Sequence, residues 1–201
     1  MTSRRILIAG AVALATTTLL SACAALLVGG AAVSGTLMYK DRRTSGAQLE
    51  DQAIEFKASS RLKEALAEPA HLNVTSYNRL TLITGEVASE ADRVAAEKAV
   101  AAVENVRSTV NEAAVMGASS LTARSNDALI TSKVKATFID NGNVDANAVK
   151  IVTERSTVYL LGRVTEREAE QAAEAARAVS GVQKVVRVFE IISEAELKSF
   201  R

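Results

Sequence analysis

Apolar positions along this chain follow two rhythms, and the rhythms succeed one another in the same order twice. Ile130, Val134 and Phe138 lie on one helical face, which predicts a helix from about Asn126 to Asp140 that stops at Asn141-Gly142. Ile54, Leu62 and Leu66 keep the same spacing earlier in the chain, in a helix expected to end before Pro69. After each helix come two β-rich runs close enough to form a hairpin: Leu72 to Tyr77 with Leu80 to Val87, and Val149 to Thr153 with Val158 to Val164. Second helices open at Ser89-x-x-Asp92 and Thr165-x-x-Glu168, in the manner of capping boxes. Asn105 and Gly181 stand at their ends, the residue types that most readily take the left-handed turn that closes a helix. A last strand is expected over Val106 to Val115 and over Val182 to Ile192.

The repetition is a duplication. With a shift of 76 or 77 residues Asp51 meets Asp127, Ile54 meets Ile130, Lys57 meets Lys133, and Gly85 of LITGEV meets Gly162 of LLGRV. Each unit reads helix, strand, strand, helix, strand. The hairpin is antiparallel, and a helix between the second and third strands makes those two parallel through a right-handed crossover. The expected class is α+β, with a three-stranded mixed sheet packed by two helices in each unit. Alanine-rich second helices (VAAEKAVAAVENV, EAEQAAEAARAV) favour helix and allow close approach to a sheet. The segment MGASSLTAR, Met116 to Arg124, reads as a small-residue connector.

The N-terminal part has a different pattern. From Ile6 to Tyr39 there is no charged residue, and Arg4 and Arg5 precede the run, which is the layout of an export signal. Leu20-Ser21-Ala22-Cys23 resembles the bacterial lipobox, in which the thiol receives a diacylglycerol, the signal is cut before the cysteine and the new amine is acylated. The same run is also long enough for a membrane span in which Cys23 is merely a small apolar residue. Several acyl chains would anchor firmly, where one gives only marginal binding. Ala24 follows the cysteine where the inner-membrane retention signal has Asp, which implies outer-membrane sorting. The expected organisation is a signal peptide over 1–22 and a tether over 23–47. A first domain over 48–116, a linker over 117–124, a second domain over 125–193 and a tail over 194–201 follow.

Composition removes several function classes. Lys plus Arg is 24 and Asp plus Glu 23, so bulk charge points to no nucleic acid, and 3% aromatics argues against base stacking. His71 is the sole histidine and is expected at the surface; with Cys23 assigned to the anchor, neither a histidine triad nor a Cys/His metal cluster can be assembled. No phosphate-cradling glycine motif occurs. Glu166, Glu168, Glu170 and Glu174 read as a solvated helix face with Arg163, Arg167 and Arg177. No enzyme, cofactor or metal is expected.

The glycine after the second strand, the TEREAE helix start and the VSGV turn before a valine-rich strand (LGRVTEREAE…ARAVSGVQKVV) resemble the BON domain. Two such domains behind a lipobox are similar to the dual-BON outer-membrane lipoproteins, over nearly the whole chain. The resemblance implies an αββαβ fold per domain, a lipid anchor with the domains facing the periplasm, and binding of anionic phospholipid. It further implies a part in envelope integrity, with division sites among the places of action. It puts the lipid-facing surface on the first helix of the second domain, Asp127 to Asp140 here. The residues themselves agree in part. With Ile130, Val134 and Phe138 turned inward, Leu129 and Lys133 share an exposed strip and Lys135 lies on another side, so an apolar group stands beside lysines able to meet headgroup phosphates. The same residues read equally as a peripheral core residue and a solvated lysine face. Charge favours the second unit: 10 basic and 9 acidic residues from Arg124 to Ile192, against 7 and 10 from Asp51 to Met116. A second expectation makes the domains a lipid-tethered scaffold for an outer-membrane assembly, division or peptidoglycan-remodelling machine, without lipid recognition of their own.

Overall fold

The computed structural model describes residues 41–66, 70–142 and 144–200. The first unit runs α1 (Ser45–Ala65), β1 (His71–Tyr77), β2 (Leu80–Val87), α2 (Glu90–Ala101), β3 (Ser108–Asn111) and β4 (Ala114–Val115). The second runs α3 (Leu121–Asn141), β5 (Val149–Glu154), β6 (Thr157–Val164), α4 (Glu166–Arg177) and β7 (Lys184–Ile191), followed by a short α5 (Glu194–Lys198). The hairpins β1–β2 and β5–β6 are antiparallel, and β2 pairs parallel with β3 and β4, as β6 does with β7. Each unit is thus the expected αββαβ arrangement with a mixed sheet.

Local chemistry explains the boundaries. Thr165 and Glu168 form a complete capping box at α4, and the Ser89 hydroxyl accepts from the Asp92 N–H at α2. Asn105 and Gly181 both have positive φ, 67° and 100°, but they lie in the turns that follow the second helices, which end at Ala101 and Arg177 with right-handed C-caps Ala102 and Ala178. Gly85 and Gly162 sit where strands approach too closely for a side chain: a Cβ would lie 1.9 Å from the His71 carbonyl oxygen at the first and 2.5 Å from that of Ala148 at the second. Three features differ from expectation. Helix α3 starts at Leu121 rather than near Asn126, because the Ser120 hydroxyl accepts from the Ala123 N–H and caps it there. The last strand of the first unit is interrupted at Glu112-Ala113, where the Asn111 carboxamide oxygen takes the Ala113 N–H. The C-terminal tail contains a turn of helix held by buried Leu197.

Three apolar clusters among the described residues hold the fold. One lies between α1, α2 and the first sheet (Ile54, Ala58, Leu62, Ile83, Ala96, Val100), and a second between α3, α4 and the second sheet (Ile130, Val134, Phe138, Leu160, Ala172, Ala176). The third joins the units: Tyr77 and Leu82 of the first sheet pack with Tyr159, Leu161 and Val188 of the second. Alternation along the central strands produces this, since Leu160 points to the helices while Tyr159 and Leu161 point to the other sheet. The order of layers is helices, sheet, sheet, helices. Burying a side chain the size of Leu82 or Leu161 contributes roughly 2 kcal/mol, and polar contacts such as Lys150 to Glu55 at 2.7 Å add to the hold of this shared cluster on the two domains.

Candidate functional site

Helix α3 lies on the outside of the second sheet. Asp127, Ile130, Val134 and Phe138 are its buried stripe, and Gly142, at φ 63°, closes it in a left-handed turn. Asp127 fixes the helix to the hairpin below: its carboxylate accepts from the N–H groups of Arg155 and Ser156, at 2.9 and 2.8 Å. Those two residues have φ of 50° and 58° and form the tight turn between β5 and β6. Asp51 does the same for Asn78 and Arg79 in the first unit, at 2.7 and 2.8 Å, and adds Ser76 and Arg43. Burial alone would push the Asp51 carboxyl up, but these donors outweigh it and hold it below the usual carboxylate range.

Opposite the buried stripe α3 presents an uncharged strip. Leu121, Leu129 and Ile139 are 79%, 61% and 64% exposed, with Ser125, Ser132 and Ala136 also exposed on that side. Lys133 is exposed at its flank. Lys135 lies elsewhere: it is half-buried, and its ammonium donates to the carbonyl oxygen of Ala146. Burial pushes its pKa down, with Asp145 acting in the opposite direction. Leu129 and Lys133 are therefore brought to one outward surface, while Lys135 is turned in against the connection to β5. Chemically the strip is suited to sit in an interface: apolar groups of moderate size, small uncharged neighbours and a cation at the edge.

Two readings of charged residues are corrected. Glu168 does not belong to the solvated face; it is 7% exposed and forms a two-point ion pair with Arg42, also buried, whereas Glu166, Glu170 and Glu174 are exposed. His71 is half-buried rather than at the open surface, with Nδ1 3.1 Å from the Glu86 carboxylate. A further exposed apolar pair escaped notice. Leu49 and Phe56, 62% and 76% exposed, lie two turns apart on α1, and the signal for them was an aromatic at a helix position outside the Ile54–Leu62 stripe. Cys23, the expected lipidation site, lies outside the described residues. Among the described residues no helix is long and apolar enough to cross a membrane.

The BON domain profile matches residues 50–117 and again 126–193. The chain is 34% identical over 184 residues to the outer membrane lipoprotein DolP of Haemophilus influenzae, covering 90% of this chain and 95% of that protein. It is 33% identical over 154 residues to the 21 kDa hemolysin of Actinobacillus pleuropneumoniae, covering 76% of this chain and 79% of the other. Among solved structures it is similar to CdsD, a structural protein of the type III secretion system of Chlamydia trachomatis, at 11% identity and a TM-score of 0.30, covering 72% of this chain and 95% of that one. Two matched copies of one domain and a relative aligned from nearly end to end lead to one conclusion: the chain belongs to the BON-domain family, as a two-domain member of the DolP kind.

Proposed function

We propose that this protein is an outer-membrane lipoprotein, anchored through acylated Cys23 with its domains in the periplasm, that binds anionic phospholipid through α3 and so helps to maintain the envelope, division sites included. It is a binding protein in this reading, not an enzyme. The observation that carries the reading is the uncharged outward strip of α3, in which Leu121, Leu129 and Ile139 face solvent with Lys133 beside them. Exposed leucine and isoleucine side chains gain by entering an acyl-headgroup boundary, and a neighbouring ammonium adds about 1 kcal/mol near an anionic surface. Lys135 contributes less, because its ammonium is already engaged with Ala146. The similarity to an outer membrane lipoprotein over most of both chains supports the location.

Flotation with vesicles tests the lipid contact. A fragment starting at Lys40 is expected to float with phosphatidylglycerol vesicles and not with phosphatidylcholine vesicles, and Leu129→Glu is expected to abolish flotation. Indifference of the fragment to both vesicles leaves the tethered scaffold as the better reading. Intact-mass measurement of the membrane-extracted protein tests the anchor: retention of residues 1–22 with a free thiol excludes it.

A further inference from the structure

We propose that His71, Glu86 and Glu154 form a binding site for one divalent transition-metal ion of the zinc type, closing the junction between the two domains. His71 and Glu86 are direct partners in the β1–β2 register, which places ring and carboxylate side by side on one face. Glu154 is the last residue of β5 and reaches the same point from the other domain. One ligand atom from each of the three lies within 4.8 Å of the others. On a tetrahedral zinc at its usual bond lengths such atoms stand roughly 3.4 Å apart, so modest side-chain rotation closes the set and leaves a fourth position for water.

A second observation points to a cation. Glu86 is 1% exposed, and while its Oε2 accepts from Ser119 and meets His71, its Oε1 has no hydrogen-bond partner among the described residues. Arg155 Nε stands 3.8 Å from that oxygen and likewise has no hydrogen-bond partner among the described residues. Glu154, 4% exposed, accepts a long hydrogen bond from Asn73 at 3.4 Å. Two buried carboxylates thus lie close together, with Asp127 near Glu154 and the Arg155 guanidinium beside Glu86. Burial pushes the Glu154 carboxyl up, and Glu86 reinforces this. A bound dication would offset both the repulsion and the orphaned oxygen. The imidazole selects a transition ion over calcium or magnesium, which prefer oxygen ligands alone. Arg155 is partly exposed and is the ion's competitor rather than its ligand.

The test uses the untagged full-length protein in detergent, titrated with zinc against a chromophoric chelator and followed by nitrogen-15 spectra of the imidazole. His71 is the only histidine, so its ring gives one unambiguous signal. Expected are one zinc per chain, displacement of the ring resonance, a raised melting temperature, and no response to calcium. His71→Ala and Glu154→Gln should each weaken binding by at least about tenfold with unchanged far-ultraviolet circular dichroism, and Arg155→Gln should strengthen it. Absence of stoichiometric uptake at micromolar zinc overturns the proposal, as does uptake that leaves the His71 resonance in place or persists undiminished in His71→Ala.

Discussion

Arg42 and Glu168 meet in a two-point ion pair, Nη1 to Oε2 at 2.8 Å and Nη2 to Oε1 at 2.7 Å, although 126 positions separate them in the chain. Arg42 also donates to the Arg163 carbonyl oxygen at 2.7 Å, so the residues just before α1 are pinned onto the second domain. Removing one member of a buried pair strands the other. Arg42→Ala is therefore expected to cost about 3 kcal/mol in chemical denaturation, and a matched Arg42→Met, Glu168→Leu double variant to recover most of it.

The same pair sets an acid dependence. Burial alone would raise the Glu168 carboxyl, but the hydrogen bond from Arg42, that from the Thr165 N–H, and the charge of Arg42 bring it below the ordinary glutamate value. A lowered folded pKa gives stability that is present above the unfolded value of about 4.3 and is lost as pH falls through the folded one. Stability curves between pH 5 and acid should fall more gently in Arg42→Ala than in the native chain.

Glu154 carries the opposite sign. Its carboxyl is raised by burial and by Glu86, so the protonated form favours the folded state, and this contribution is lost as pH rises through the folded pKa. In metal-free buffer Glu154→Gln is expected to raise the melting temperature at neutral pH and to leave it unchanged at acid pH. A lower melting temperature at neutral pH would show that the ionised carboxylate is needed by its neighbours.

The hairpin turn of the first domain places Asn78 and Arg79 at φ 50° and 66°, a conformation that side chains tolerate poorly. Arg79→Gly produces the favoured Asn-Gly turn and should stabilise the protein by about 0.5–1 kcal/mol. Asp51→Ala, which removes the acceptor of the Asn78 and Arg79 N–H groups and of the Ser76 hydroxyl, should cost at least about 2 kcal/mol. A loss below about 0.5 kcal/mol in Asp51→Ala would show that Asp51 does not hold the turn.

Much of this architecture is legible in the chain because it is local. Ile130, Val134 and Phe138 declare a helix face, Thr165 and Glu168 its successor's start, and Asn105 and Gly181 the positive-φ turns that lead into the last strands. What stayed hidden depends on distant partners. Glu168 looks like one more helix-surface carboxylate until Arg42 arrives from another part of the chain. Tyr159 and Leu161 alternate with Leu160 as in any two-sided strand, and nothing local says that their side faces a second sheet. Tyr159 shows the consequence, its hydroxyl pushed up to about 12 by burial with Glu112 adding to it. On α3 the family resemblance points to the helix and periodicity turns Leu129 and Lys133 outward, whereas the inward turn of Lys135 depends on the position of Ala146.

The most direct measurement of the central claim uses the fact that the chain has no tryptophan. Leu129→Trp places a lone reporter on the outward strip of α3, and Phe56→Trp places one on α1 as a control. With phosphatidylglycerol vesicles the emission of Leu129→Trp is predicted to move to shorter wavelength while that of Phe56→Trp stays unchanged. A vesicle-bound protein in which the Leu129→Trp emission remains that of a tryptophan in water would contradict the account.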